Sequence, residues 1–393
     1  MRFFPIRAGA LLAALSMACS AAAAPTVPRS LALALNKAQA AYSAHRYRAA
    51  LEQLQAIQRT QRLDGYGAYL VERSLGTVAA AAGDYAVSAA ALRKALNSKA
   101  GDPAVAGALA QTLIYADYQR HDYAAVIADS QQWNAALAGN AQVGSMLQQA
   151  YGATRQCGKL DALLGHSRDA AALSSLVACY QASGDARGER ASVLRLLQVR
   201  PTPAYWQAAL GLVGDEHGVS SRYALDMLRL KQRVGLLATA SQYMELTMLE
   251  LEAQDAHGAK RAIDAGYHAG VLGSGPGAPR QARLARMVEQ RLAAQPAGWH
   301  NLDKAPRSAQ LAGGLALVDA GQVQRGLALL KQAEAGAALP DAELQNLRLA
   351  EVLGSVGRER EARAIAHSVA VHASGALRDV ARLWEIALQM PRA

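Results

Sequence analysis

The sequence predicts an all-α fold, a solenoid of stacked helix-turn-helix pairs, and three observations lead there. The 393 residues are 52% hydrophobic but only 5% aromatic, with 2 Phe, so the interior must be filled largely by Ala and Leu. Small-residue packing of that kind suits closely stacked helices. Val, Ile, Thr and aromatic residues rarely alternate, which leaves strands little support. Finally, Tyr47, Tyr85 and Tyr123 each follow a short turn and are spaced by 38 and 38 residues. A fixed period is the signature of a repeat array, in which each unit packs on its neighbours.

Residues 1–24 read as a secretory signal peptide. Arg2 and Arg7 precede an apolar run, Ala8 to Ala18, and Ala22-Ala23-Ala24 forms a small-residue cleavage site before Pro25. That run is shorter than the roughly 20 residues of a membrane span, and no later stretch is long and uncharged enough for one. The mature chain is therefore expected to be exported, soluble and periplasmic. A second expectation stands beside it. Leu15-Ser16-Met17-Ala18-Cys19 resembles a bacterial lipobox, and lipidation at Cys19 would anchor the chain as an outer-membrane lipoprotein.

Residues 25–272 form the expected main array. Leu75 to Leu96 shows its unit: Leu75 and Gly76 lie on one helix, Gly83-Asp84-Tyr85 breaks it, and Ser88, Leu92 and Ala95 lie on the next. The same plan places helices over Leu31 to Tyr42, Tyr69 to Ala82 and Ala108 to Tyr118. Gly270 to Pro279 is a Gly- and Pro-rich interruption. It opens a loop-rich connection over 273–306, with one basic helix at Gln281 to Leu292. Two further repeats occupy 307–393, their turn glycines Gly321 and Gly357 lying 36 apart, and a helix from Ala376 to Met390 is expected to cap the array.

The unit from Leu173 to Pro201 gives the pattern a family. Leu176-Val177, Tyr180, the turn Gly184-Asp185 and the closing Pro201 resemble the tetratricopeptide repeat. That resemblance implies a right-handed superhelical solenoid with a concave face lined by the first helix of each unit. Within 203–272, the order YWxxAL, GLL, YMEL and AxxAIDAGYxxGVL is similar to tetratricopeptide proteins associated with bacterial TonB systems. The resemblance implies an envelope context and names no site.

The formal charge is +10, or +8 once Arg2 and Arg7 leave with the leader. The surplus, including Arg229, Arg233 and Arg261, is interleaved with acids and apolar residues and reads as solvated helix faces. Nucleic-acid binding would need a clustered basic face with stacking aromatics, so no nucleic-acid partner is expected. An acidic partner or an anionic membrane surface fits the charge. Cys157 and Cys179 remain after the leader; in an oxidising compartment the pair is either bridged or free.

No enzyme chemistry is expected. The 9 histidines include no HExxH and no i,i+4 pair, and neither GxGxxG after a strand nor a P-loop is present. Paired acids such as Glu250 and Glu252, or Asp215 and Glu216, read as solvated faces. No cofactor and no metal follow from the sequence. The function expected is binding or scaffolding of a protein or peptide, within a TonB-type envelope complex or, for a lipoprotein, a secretion, pilus or polysaccharide export machine.

Ligand-facing positions implied by the tetratricopeptide resemblance fall on Leu70, Arg73 and Thr77, and on Gln111, Tyr115, Tyr118 and Gln119. Tyr115 and Tyr118 carry apolar rings with polar tips beside amides, which suits a peptide; packing between units is the equal alternative. Trp206, Met244 and Met248 are further candidates for partner contact. At their helical spacing, packing in the core is the favoured reading of all three.

Overall fold

The computed structural model describes residues 27–214, 222–334 and 341–390. The leader and Cys19 lie outside the described residues, as do Asp215 and Glu216. Among the described residues every regular element is a helix, and none is long and apolar enough to cross a membrane. Consecutive helices pack on one another, as in an α-solenoid of helical repeats.

The chain divides into two compact units. The first comprises residues up to His166 together with Ala178–Ser183. It contains α1 (Arg29–Ser43), α2 (Tyr47–Thr60), α3 (Gly65–Ala82), α4 (Tyr85–Leu96), α5 (Pro103–Gln119), α6 (Tyr123–Gln132), α7 (Ala141–Ala153), α8 (Cys157–Leu164) and the end of α9 (Ala170–Ser183). The second takes the start of α9 and everything from Gly184. Its helices are α10 (Ala186–Val199), α11 (Pro203–Gly214), α12 (Ala224–Arg233), α13 (Ala240–Glu252), α14 (Ala256–His268), α15 (Ala278–Gly298), α16 (Arg307–Asp319), α17 (Val323–Glu334), α18 (Ala342–Ser355), α19 (Glu359–His372) and α20 (Gly375–Ala387).

One backbone device makes the repeat. The turn between the two helices of a pair holds a left-handed residue at the same place: His45, Gly83, His121, Arg155, Gly184, Gln254, Gly321 and Gly357. The next amide then reaches back over the helix end. Asp84 N donates to Ala79 O at 2.9 Å, and the same bond recurs from Arg46, Asp122, Gln156, Asp255, Gln322 and Arg358. This closure satisfies helix-end carbonyls that would otherwise lack donors. Where the following residue is Asp, its carboxylate also accepts from the third amide of the new helix, as Asp84, Asp122, Asp185 and Asp255 do. The tyrosine register read from the sequence was tracking this turn.

In the first unit the leading helices α1, α3, α5 and α7 lie beside one another, each also packed on its partner helix. Leu54, Leu92 and Leu113 are fully buried, each stabilising the fold by about 1.5–3 kcal/mol. Gly76 lets α4 approach closely: a Cβ there would stand 2.5 Å from Leu92 Cγ, and Ser88 Oγ donates to Gly76 O at 2.8 Å. Cys157 and Cys179 are bridged, joining α8 to the end of α9.

The second unit closes on itself. Helix α20 packs on α19 and also on α10, α11 and α12. Arg190 Nη1 on α10 donates to Asp379 Oδ2 at 3.1 Å, and Trp384 Nε1 donates to Asp226 O at 3.2 Å. The last helix was expected to cap an open end; it also covers the unit's first helices. Two boundaries shift for local reasons. The apolar pattern predicts a helix over Tyr223 to Leu236, but Gly235 is left-handed and Leu236 N donates to Lys231 O, so α12 stops at Arg233. The basic helix runs from Ala278 to Gly298, beyond its expected end at Leu292, because its face packs on α13 and α14. That packing places the 273–306 segment inside the second unit.

Candidate functional site

The candidate contact residues of the first unit are engaged with neighbouring groups of the same unit. The Arg73 guanidinium lies over the Tyr69 ring at 5.7 Å, and Thr77 Oγ1 donates to Arg73 O at 3.0 Å. Gln111 Nε2 donates to Gln142 Oε1 at 2.9 Å, and Tyr118 Oη donates to Gln149 Oε1. Both bonds join residues 31 apart, because α5 and α7 lie side by side. Tyr115 stands edge-on to Tyr85 at 5.9 Å and interacts with Gln119. All six candidates are half-buried. Trp206 is a correction: at 2% exposure it sits in the core of the second unit with Val193, Leu197 and Val213, out of reach of a partner.

A different surface of the second unit is open and mixed in character. Met244, Met248 and Leu251 form a stripe on α13 at i, i+4 and i+7. Leu284 and Met287 face them from α15, and Arg280, Arg283 and Arg291 rim the same groove, which has a volume of about 600 Å³. Met248 and Met287 are 42% and 48% exposed. The core expectation for Met248 therefore fails: Leu246 and Tyr243 take the buried face of α13, and Met248 lies one side of it. The groove holds one acid, Glu252, and none of its three arginines has a carboxylate partner among the described residues. Three guanidiniums beside polarisable thioethers make a surface suited to an apolar, acidic segment.

Beneath the surface of the same unit lies an ionic cluster. Arg229 on α12 donates from Nε to Glu250 Oε1 at 2.7 Å, from Nη1 to Glu351 Oε2 at 3.0 Å and from Nη2 to Asp255 Oδ2 at 3.3 Å. Arg348 Nε donates to Asp226 Oδ1 at 3.1 Å, and Asp319 accepts from Arg261 and Ser355. The five carboxyl groups Asp226, Glu250, Asp255, Asp319 and Glu351 are all buried. Burial, then the neighbouring Asp319 and Glu250, holds the Asp255 carboxyl well above its ordinary pKa. Burial and Asp226 do the same to Glu351. For Asp319 burial opposes ionisation, but Arg261 and Ser355 prevail and its pKa falls.

Arg229, Glu250 and Glu351 also line a cleft of about 490 Å³, with Arg233, Arg261, His268, Tyr243, Val352, Ser355 and Trp384 around them. Gly258 makes the cluster possible, since a Cβ there would meet the Glu250 carboxyl at 2.8 Å. Glu250 and Arg229 are thus corrections to the reading of solvated faces; only Glu252 of the acid pair is exposed. One signal was present. Arg229 sits between Leu228 and Leu230, four residues after Leu225, inside the apolar pattern of α12. Comparison with protein-family models and with curated proteins gives no match.

Proposed function

We propose that this protein is a non-enzymatic binding and scaffold protein of the tetratricopeptide type that holds a protein or peptide partner, and that the groove between α13 and α15 is where it does so. The observation behind this reading is the pairing of exposed Met248 and Met287 with Arg280, Arg283 and Arg291, which form no ion pair among the described residues and share the groove with a single acid, Glu252. Buried apolar anchors supply affinity, and the arginine rim selects acidic flanks and speeds encounter. Helix-spaced walls suit a segment presenting Leu or Met at one-turn intervals between Asp and Glu. The half-buried face of Arg73, Thr77, Gln111, Tyr115, Tyr118 and Gln119 serves mainly to join successive repeats.

Selection from a random peptide library on the folded protein tests this. The enriched peptides should combine acidic residues with Leu, Met or Phe. Arg283→Glu with Arg291→Glu should weaken them by about tenfold or more, as for loss of two charge contacts. Tyr115→Ala with Tyr118→Ala should not. Enrichment of basic peptides, or loss of binding in the tyrosine pair alone, overturns the groove assignment.

The setting proposed is the periplasm, within a TonB-type envelope complex. It rests on the leader pattern of residues 1–24, the likeness over 203–272, and the Cys157–Cys179 bridge, which suits an oxidising compartment. N-terminal sequencing of the mature protein should begin at Pro25. Palmitate labelling that is lost in Cys19→Ser would select the outer-membrane lipoprotein instead.

A further inference from the structure

We propose that the exposed face of α13 and α15 is a homodimer interface, covered by a second copy of this chain about a two-fold axis parallel to the two helices. Each helix carries one half of a matched pair. On α13, Glu245 and Glu252 flank Met248 at i−3 and i+4; on α15, Arg283 and Arg291 flank Met287 at i−4 and i+4. All six side chains are exposed. Neither glutamate and neither arginine has an ion-pair or hydrogen-bond partner among the described residues, whereas the remaining acid of α15, Glu289, is held by Lys260 Nζ at 3.1 Å. An acidic, apolar segment of the kind that suits the arginine rim is therefore present on the neighbouring helix of the same unit.

Direction and level let the two halves meet. At the C-terminal ends of the helices Leu251 and Gln254 adjoin Arg291 and Gln295, where Gln295 Nε2 donates to Gln254 O at 3.1 Å; Met244 and Arg280 lie at the other end, so α13 and α15 run the same way. Met248 then lies level with Met287, Glu245 with Arg283 and Glu252 with Arg291, each to within about one helical turn. A two-fold axis along the groove sets α13 of each copy on α15 of the other at the same level, and every contact occurs twice, as an isologous interface requires. Glu245 faces Arg283, Glu252 faces Arg291 and Met248 faces Met287 of the second copy. An axis across the groove would instead set acid on acid and arginine on arginine, so charge selects the first arrangement. Arginine and methionine are both enriched at protein interfaces, and flexible thioethers adapt to one another. At about 1.5 Å per residue, the 13 residues of α13 and 21 of α15 give a face of roughly 500 Å² per copy and about 1,000 Å² in the pair. That is the lower end for specific association, which implies a dissociation constant on the order of micromolar.

The dimer covers the groove proposed for the peptide, so the two occupants compete, but neither reading rests on the other. Sedimentation velocity of the full mature chain, from about 1 to about 200 µM, tests the dimer. The mass should rise from monomer to dimer with concentration and fall back as salt is raised, because exposed ion pairs are screened. Glu245→Arg and Arg283→Glu should each raise the dissociation constant about tenfold or more, since symmetry sets two like-charge contacts in either homodimer. An equimolar mixture of the two variants should regain the parent's dimer, because each then meets the opposite charge. Glu245 lies outside the groove lining, so Glu245→Arg should bind acidic peptides as the parent does, which separates loss of the dimer from loss of the peptide site. A chain that stays monomeric throughout, whether or not it binds acidic peptides or phosphatidylglycerol vesicles, overturns the proposal. A dimer indifferent to salt and to both variants, or a mixture that fails to re-form it, does the same. The salt series needs only the parent protein, so a variant that fails to fold leaves the test intact.

Discussion

Arg229 and Glu250 form a two-bond ion pair in the second unit: Nε lies 2.7 Å from Oε1 and Nη2 2.5 Å from Oε2, while Nη1 and Nη2 also donate to Glu351 and Asp255. Arg229 is raised well above the usual arginine pKa; burial opposes the charge, but Glu250 and Glu351 outweigh it. Removing it takes the shared donor from three buried carboxyl groups. Arg229→Leu should therefore cost about 3–5 kcal/mol, the range for breaking a buried pair from one side. Urea unfolding followed by tryptophan fluorescence reports it, because Trp206, Trp299 and Trp384 all lie in this unit. Gly258→Ala should act in the same direction more weakly, through displacement of Glu250.

Asp117 gives the first unit a pH dependence. Its carboxyl is fully buried, and that burial pushes its pKa up to about 6 against the pull of Arg93 Nη2 at 2.6 Å. A carboxyl with a raised folded pKa favours folding fully below the unfolded value near 3.8 and loses that contribution as pH rises to about 6. Stability of the parent should therefore fall between pH 4.5 and pH 7 more than that of Asp117→Asn. Urea midpoints at the two pH values decide it; an unchanged difference would sink the assignment.

Equivalent turn positions should respond in opposite directions. Gly83 has φ 81° and open space around its Cα, so Gly83→Ala pays only the left-handed backbone cost, about 1 kcal/mol. Gln254 occupies the same place in its turn at φ 62°. Gln254→Gly should relieve that strain and gain up to about 1 kcal/mol, less the entropy glycine adds to the unfolded chain. Thermal unfolding of both variants provides the comparison.

The Cys157–Cys179 bridge spans 22 residues. Closing a loop of that length is worth about 3 kcal/mol in the chain-entropy account. Reduction, or Cys157→Ser with Cys179→Ser, should lower the urea midpoint of the first unit, and non-reducing peptide mapping should recover the two cysteines in one linked fragment.

The sequence by itself determined the local architecture. Helix periodicity, the left-handed turn residue and the Asp that follows it are all encoded within a few positions, and so the repeat could be counted from Tyr47, Tyr85 and Tyr123. Only the tertiary structure decided which charges are buried. Glu250 and Glu252 are two residues apart on one helix, yet one faces Arg229 and the other faces solvent. Nothing local separates them: that choice depends on Gly258 from the following helix, on Glu351 a hundred residues later, and on α20 returning to cover α12. The same holds for Met248 and Met287, which share a groove because α13 and α15 pack together. Short-range hydrogen bonding writes the repeat into the sequence, whereas the sites depend on long-range packing, which leaves no fixed spacing to read.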